Sequence, residues 1–485
     1  MEGKEHNSNK RQSQSPNKKL KSPKELDKFL RDKSDEITYE VNAKNAIYFK
    51  IVHNEKEFID FQGLNFENVF HPTYTYELFQ NEKINGYKGI KILISLTPKR
   101  LYSHINIIYA KKLDVSDDVE KILSEHFKDA YCTSNVEFLE KLKSDISLSS
   151  PKGLLVCKDK SKSIYTIDIL EDGFESENLN FQALCPFFID AASFIPLETN
   201  FWSYFLEIED EEKCAECGEK GGDDIITTED NIINTSSNIS NWHTVGFCSY
   251  KNFHLQQDKY TTMLSQFLIL NPYQRKGFGT YMLQSAYNFL GKEQIQCREI
   301  TTEDPDLEFI LMRDITIIKL ILENNFLEYQ FRRLKSCEIT TKEDFDLFIL
   351  SDKEIKSIAS ALKLQENLIE RTLEFILYSM ILNSKELNAE FTKHKKEKFS
   401  KMLIKNTDIN QAHKTRNKGP FISFYDDPDY DPQKIIQENE SENPAKSIEI
   451  INEKVNIFFF DYKRDLDTIV EKIKRIVCEY KKKLG

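Results

Sequence analysis

Apolar and polar positions divide the chain into stretches of different character. Residues 1–24 contain no aromatic residue and almost no aliphatic one, while Lys10-Arg11, Lys18-Lys19, Lys21 and Lys24 stand among Ser, Asn, Gln and Pro. This pattern predicts a disordered basic tail over 1–35, read either as a two-cluster nuclear import signal or as a solubilising extension. Residues 36–175 form a mixed segment. Strands are expected at Asn45–Val52, Tyr87–Ser95, Tyr102–Ala110, Gly153–Cys157 and Ser163–Ile169, from their β-branched and aromatic content. Helices are expected at Ser116–Phe127 and Ser134–Leu142, the second opened by a Ser134/Glu137 capping-box pattern.

Residues 176–335 read as a second mixed segment. Trp202–Ile208 and His243–Tyr250 are expected strands, and the stretch 209–241, acidic and then rich in Gly, Ser and Asn, is expected to be a long insertion between them. The continuous apolar run Gln266–Leu270 suits a strand buried on both faces, often a parallel one. Leu283, Ala286, Tyr287 and Leu290 then follow helical spacing, ended by Gly291. Gln294–Thr301 is a further strand, and Leu307, Ile310, Leu311, Ile318, Ile321 and Leu322 mark another helical stripe. Residues 336–485 are helix-rich. Ser351-Asp-Lys-Glu354 opens a stripe through Ile369, Leu373, Ile376 and Leu377. A loop with seven acids, two lysines and three prolines is expected over 425–446, before a last helix near Asp465–Lys482.

Composition narrows the function classes. At 485 residues the chain is long enough for about three domains. Lys and Arg total 67 against 79 Asp and Glu, a net charge of −12, so the balance favours basic partners over a nucleic-acid backbone, and no direct nucleic-acid binding is expected. No apolar run reaches the ~20 residues of a membrane helix, and no secretory leader is visible, so no membrane association is expected. The nine cysteines, an odd number, read as free thiols of a reducing compartment, with cytosol and nucleus as the expected locations. Cys214 and Cys217 form a close pair in an acidic loop without a second ligand pair. They are read as loop cysteines, and no metal is expected.

The most informative motif is Gln274-Arg-Lys-Gly-Phe-Gly279, between the apolar run and the Leu283 helix. Two close glycines let backbone N–H groups approach an anion, and the helix N-terminus adds unpaired donors, so the loop is a candidate phosphate cradle to which Arg275 and Lys276 add charge. It is no P-loop, because Gly279 is followed by Thr280 and Tyr281, and no dinucleotide fingerprint, because Met282 stands where a small residue is required.

Gln-x-x-Gly-x-Gly after an apolar strand resembles the pyrophosphate loop of the GCN5-related N-acetyltransferase superfamily. The wider set of Gln266-Phe-Leu-Ile-Leu-Asn-Pro-Tyr-Gln-Arg-Lys-Gly-Phe-Gly279, Ile300-Thr-Thr-Glu-Asp-Pro305 and Met312-Arg-Asp314 is similar to the catalytic subunits of type B histone acetyltransferases, as are Gly86-Tyr-Lys-Gly-Ile-Lys-Ile92 and Ala192-Ser-Phe-Ile195 with Trp202. The resemblance covers most of 40–335. It implies an α+β chain with the GCN5-related N-acetyltransferase fold: an N-terminal α/β substrate-binding domain (36–175), an acetyl-CoA-binding core (176–335) and a C-terminal helical domain (336–485).

It also implies the site. Lysine arrives as an ammonium with a pKa of about 10.4, so a base must remove a proton before the amine attacks a thioester. The resemblance makes Glu303 that base, with Asp304 assisting. Asp190 occupies a position where the family carries a glutamate, one methylene longer. Phe267, Leu268 and Ile269 are expected to line the acetyl and pantetheine arm through their backbones. Gln274, Arg275, Lys276, Gly277, Phe278, Gly279 and Thr280 are expected to hold the pyrophosphate, and Asp306 to touch the cofactor. Trp202 and Glu82 are expected contacts of a histone tail. The implied co-substrate is acetyl-CoA, the implied substrate the tail of free, newly made histones, mainly histone four, and the implied partner a WD-repeat β-propeller histone chaperone. A GCN5-related enzyme acting on another amine and a non-catalytic histone-binding scaffold are the alternatives.

Overall fold

The computed structural model describes residues 39–484, apart from 172, 196–201, 211–240, 255–258, 293–295 and 414–443; the side chains of 175, 210, 404–413 and 444–451 also lie outside that description. The basic tail, Cys214 and Cys217, nearly all of the 209–241 insertion and most of the acidic stretch 425–446 therefore lie outside the described residues. The chain divides into two compact units, 1–289 and 290–485.

The first unit opens with β1 (Glu40–Asn42), α1 (Ala43–Ala46), β2 (Ile47–Ile51), α2 (Glu55–Gln62), β3 (Lys83–Asn85), β4 (Tyr87–Lys88), β5 (Lys91–Leu96), β6 (Ser103–Ile108), β7 (Lys111–Lys112), α3 (Val119–Phe127), β8 (Tyr131–Cys132) and α4 (Asn135–Ile146). A four-stranded sheet has the order β2-β5-β6-β8. β2 runs parallel to β5, with Ile47 opposite Ile92 and Ile51 opposite Leu96, whereas β5 and β6 are antiparallel. The Ile- and Phe-rich sequences of β2 and β5 suit such buried strands. Asn54, Asp118 and Ser134 cap α2, α3 and α4 by accepting the amide three residues on, which satisfies a donor the helix itself leaves unpaired.

β9 (Leu154–Asp159), β10 (Lys162–Asp168), α5 (Phe174–Phe188), β11 (Trp202–Asp210), β12 (Trp242–His254), β13 (Tyr260–Ile269) and α6 (Phe278–Leu290) follow. The strands β9 to β13 are neighbours in chain order and every pairing among them is antiparallel. The Gln266–Leu270 run differs here from the expectation of a parallel strand: it ends a ten-residue strand whose burial alternates and which pairs antiparallel with β12, Leu268 facing Phe247. Five residues were too short a window to show that alternation. One apolar core, with Phe49, Phe127, Phe181, Phe187, Tyr204 and Phe247 among its members, joins α5 to both sheets.

The second unit contains β14 (Cys297–Thr302), α7 (Leu307–Glu323), α8 (Glu328–Arg333), α9 (Lys342–Leu347), α10 (Asp352–Leu362), α11 (Glu366–Ile381), α12 (Lys385–His413) and α13 (Pro444–Lys483). The Ser351/Glu354 capping box is formed in both directions. The last helix is far longer than expected, 40 residues starting at Pro444. Cys337 and Cys478 are joined by a disulfide across a sequence separation of 141, which corrects the reading of all nine cysteines as free thiols. Spacing alone could not reveal that pair, because only the packing of α13 brings the two Cα atoms to 5.4 Å. Among the described residues no helix is long and apolar enough to cross a membrane.

Candidate functional site

The cradle is built where β13 leaves its sheet. Leu270 still donates its amide to Val245 (2.9 Å), and Asn271–Tyr273 then make a single 3₁₀ turn with Pro272 at its start. Gln274 turns back, its Nε2 donating to the Ile269 carbonyl at 2.8 Å, which pins the loop to the strand. Arg275 and Gly277 have φ of 62° and 85°, and a Cβ built on Gly277 would meet no atom of the described residues within 4 Å. The glycine is therefore needed for backbone conformation while its surroundings stay open to a ligand.

Behind the loop, Phe278 is buried at 3% exposure, and α6 presses Met282, Leu283, Ala286 and Tyr287 into the core. Phe278 thus anchors the first helical turn, whose amides lack an intrahelical acceptor. Lys276 and Arg275 stay exposed at the loop surface, and the Lys162 ammonium lies 4.2 Å from the Phe278 ring centre. In β13, Leu268 and Ile269 are buried and Phe267 is half-buried. Gly279 and Thr280 sit half-buried in the first turn of α6. His243, buried and stacked on Tyr273 at 5.0 Å, is pushed down to about 4 by burial and the nearby His53 and Lys276, which keeps its imidazole neutral.

The predicted carboxylates fall in different surroundings. Glu303 and Asp304 occupy an exposed turn between β14 and α7 in the second unit, and Asp304 has a φ of 31°. The Arg313 guanidinium reaches from α7 to the Thr302 hydroxyl at 3.1 Å, tying the helix to the residue before that turn. Asp306 is the N-cap of α7, its Oδ1 accepting the Phe309 amide at 2.7 Å. Asp190 lies in the first unit, in the turn leaving α5, where the Tyr76 hydroxyl donates to its Oδ1 at 2.5 Å.

The expected tail contacts are both partly engaged. Trp202 opens β11 at 8% exposure, with the Lys251 ammonium 5.5 Å from its ring centre. Glu82, at a φ of 56°, pairs with Lys44 at 2.8 Å.

Several site-shaping residues escaped the sequence reading. Gln182 of α5 and Gln266 of β13 exchange reciprocal amide hydrogen bonds of 2.7 and 3.0 Å in the core. Gln182 also donates to the Tyr204 hydroxyl and accepts the Ile195 amide at 3.0 Å, and Gln266 donates to the Ser193 carbonyl at 2.7 Å. The two amides thus fasten the segment after Asp190 to the β13 strand. The available signal was a glutamine inside Phe181-Gln-Ala-Leu-Cys185, an otherwise apolar helical face that tolerates a polar group only when it is satisfied.

Comparison with known proteins adds relatives. Residues 39–190 match the family described as histone acetyl transferase HAT1 N-terminus. The human histone acetyltransferase type B catalytic subunit is 28% identical over 301 residues, which cover 58% of this chain and 64% of the relative. The protein of the same name from Rattus norvegicus is 27% identical over the same shares, and that from Candida albicans is 27% identical over 64% of this chain and 70% of the relative. The chain thus spans somewhat less than two thirds of the human and rat proteins it matches. These matches bear out the resemblance at the level of similarity: the chain is similar to the catalytic subunits of type B histone acetyltransferases.

Proposed function

We propose that this chain transfers acetyl groups from acetyl-CoA to lysines in the N-terminal tails of free, newly synthesised histones, mainly histone four, by direct attack of the lysine amine. The observation that carries the reading is the loop 274–280. It combines a positive-φ glycine opening onto free space, the start of a well-anchored helix and two exposed cations. These residues suit an extended pyrophosphate: amide donors at a helix N-terminus hold phosphate oxygens, and Arg275 and Lys276 add charge. When bound, acetyl-CoA supplies the activated acyl group. The backbone of Phe267, Leu268 and Ile269 is assigned the arm that carries the thioester.

Glu303 is assigned the proton of the incoming ammonium, with Asp304 assisting. Asp190 is assigned to attract the ammonium, directly or through a water. Trp202 and Glu82 are assigned to the tail, for which a negatively charged protein is a favourable partner. The remaining parts of the reading are the GCN5-related N-acetyltransferase fold, a WD-repeat β-propeller chaperone as partner, and activity in cytoplasm and nucleus.

Glu303→Gln tests the assignment. Calorimetry should show acetyl-CoA binding retained, while turnover on free histones falls by at least ~100-fold, the lower range for losing a general base. Undiminished turnover would move the base elsewhere. Mass spectrometry of acetylated sites on free histones and on nucleosomes tests the substrate: equal modification of both would defeat the preference for free histones.

A further inference from the structure

We propose that Tyr76 is a positioning residue of the transfer site, acting through Asp190 to present its carboxylate to a primary ammonium. The inference rests on the reading of Asp190 given above and goes beyond it by naming what holds that carboxylate in place.

Asp190 has no rigid seat of its own. It is exposed, on a turn beyond the end of α5, and carries a short side chain. Left alone, such a carboxylate samples several rotamers and hydration states. The Tyr76 hydroxyl removes that freedom from two directions. It donates to Asp190 Oδ1 at 2.5 Å and accepts the Ala191 amide at 2.7 Å. Ala191 has a φ of 50°, a left-handed conformation that a residue with a Cβ adopts at a cost, so the bond to its amide supports an unfavourable backbone. One phenol thus fixes both the side chain of Asp190 and the peptide that follows it.

Tyr76 is itself anchored to the same place. The amides of Thr73 and Tyr74 donate to the Phe187 carbonyl at 2.8 and 3.0 Å, so the segment carrying the phenol hangs from the last turn of α5, as Asp190 does. The Tyr74 ring packs edge-on against that of Tyr76 at 6.1 Å. Beyond Ala191, Gln266 holds the Ser193 carbonyl and Gln182 holds the Ile195 amide. Asp190 therefore lies in a segment pinned on one side by Tyr76 and on the other by a side chain of β13, the strand assigned to the acetyl arm.

The chemistry agrees with this role. The hydrogen bond to Asp190 raises the Tyr76 phenol above its ordinary value, so it remains a donor wherever lysine acetylation is measured. Engaging Oδ1 leaves Oδ2 as the acceptor for an ammonium or for a water that bridges to one. No bond is made or broken by the phenol. Its contribution is a fixed acceptor position, of the kind that preorganises a charged group before reaction.

The test is Tyr76→Phe in the full chain, alone and combined with Asp190→Asn. With a lysine-containing histone-four tail peptide, kcat should fall about tenfold, the scale of one hydrogen bond to a charged group, while KM and Kd for acetyl-CoA stay within about twofold. In the Asp190→Asn background the same substitution should cause no further loss. Unchanged kcat, losses that multiply, or parallel weakening of acetyl-CoA binding would each overturn the inference. Hydrogen–deuterium exchange of residues 189–195 reads the clamp without catalysis: it should quicken in Tyr76→Phe, and unchanged exchange in an active chain defeats the clamp alone. Absence of transfer by the unaltered chain would instead defeat the proposed function, and this role with it.

Discussion

Glu207 and Glu374 are two glutamates withdrawn from water, one in each compact unit, and their surroundings treat them in opposite ways. Glu207 sits on β11 at 0% exposure, and neither carboxylate oxygen has a hydrogen-bond partner among the described residues. Burial pushes it well above the ordinary carboxylate range, against the opposing charge of Lys162. Glu374 sits on α11. Burial opposes its charge too, but Lys395 and Lys398 hold it below the ordinary value, and the Tyr462 hydroxyl donates to it at 2.8 Å. The difference is architectural. In the sheet, the residues paired with Glu207 are Ile164 on β10 and Gly246 on β12, and neither offers a side-chain donor. In the helical unit, α11, α12 and α13 bring the ends of long side chains to one point, and Arg371 likewise reaches Asp314 and Asp465. A sheet row sets its neighbours by register, whereas converging helices allow long side chains to find partners.

The largest effect should come from breaking the helical network. Arg371→Met removes the 2.9 Å bond to Asp314 and the 3.3 Å bond to Asp465 and leaves both carboxylates buried beside an apolar group. Equilibrium denaturant unfolding should show a loss of about 3–5 kcal/mol, as for other buried pairs deprived of one partner. A loss no larger than that of an exposed ion pair would refute the contrast.

The opposite sign is expected in the sheet. Glu207→Val removes a buried carboxyl that makes no hydrogen bond among the described residues and supplies a β-branched residue suited to a strand, so stability at neutral pH should rise by about 1–3 kcal/mol. Its pH dependence has a definite direction. A raised folded-state value means that the folded chain holds its proton while the unfolded chain releases it above about 4.3, so this residue's contribution to stability falls as pH rises from there toward the folded value. The advantage of the variant should therefore grow over that interval and be smallest below it. Thermal unfolding across pH checks this, and a pH-independent difference would mean that the charge of Lys162 outweighs the burial of Glu207.

The smallest effect should appear at the cradle. Gly277→Ala adds a methyl group to open space, so only the positive φ is penalised, at about 1–2 kcal/mol. Gly86 is the useful contrast, because a Cβ there would stand 2.5 Å from Ser116 Cα as well as suffering a φ of 84°. Calorimetric unfolding of Gly277→Ala in the absence of cofactor is the measurement. A loss far above that range would show the loop to be closed by protein.

Much of this was legible in the sequence because it depends on local patterns. The caps at Ser134 and Ser351, the strands at 47–51 and 91–96, and the strand–loop–helix around Gly277 all rest on residues within a few positions of one another. The antiparallel pairing of β13 was hidden because an apolar run carries no statement about its partner. Tyr76 and Asp190 are 114 positions apart, and Gln182 and Gln266 are 84 apart, so nothing near either residue in the chain announces the bond.

The chain alone determined which segments carry strand or helix patterns, where Ser134 and Ser351 cap helices and which acids border turns, because short-range sterics, capping and hydrophobic period act between neighbours. Tertiary structure alone decided which buried glutamate is pushed up by burial and which is held down by lysines, which glutamine is satisfied, which thiols are joined and which carboxylate is clamped by a phenol. Those outcomes depend on distances between residues remote in sequence, and the energy of a buried polar group is set by whether such a neighbour arrives.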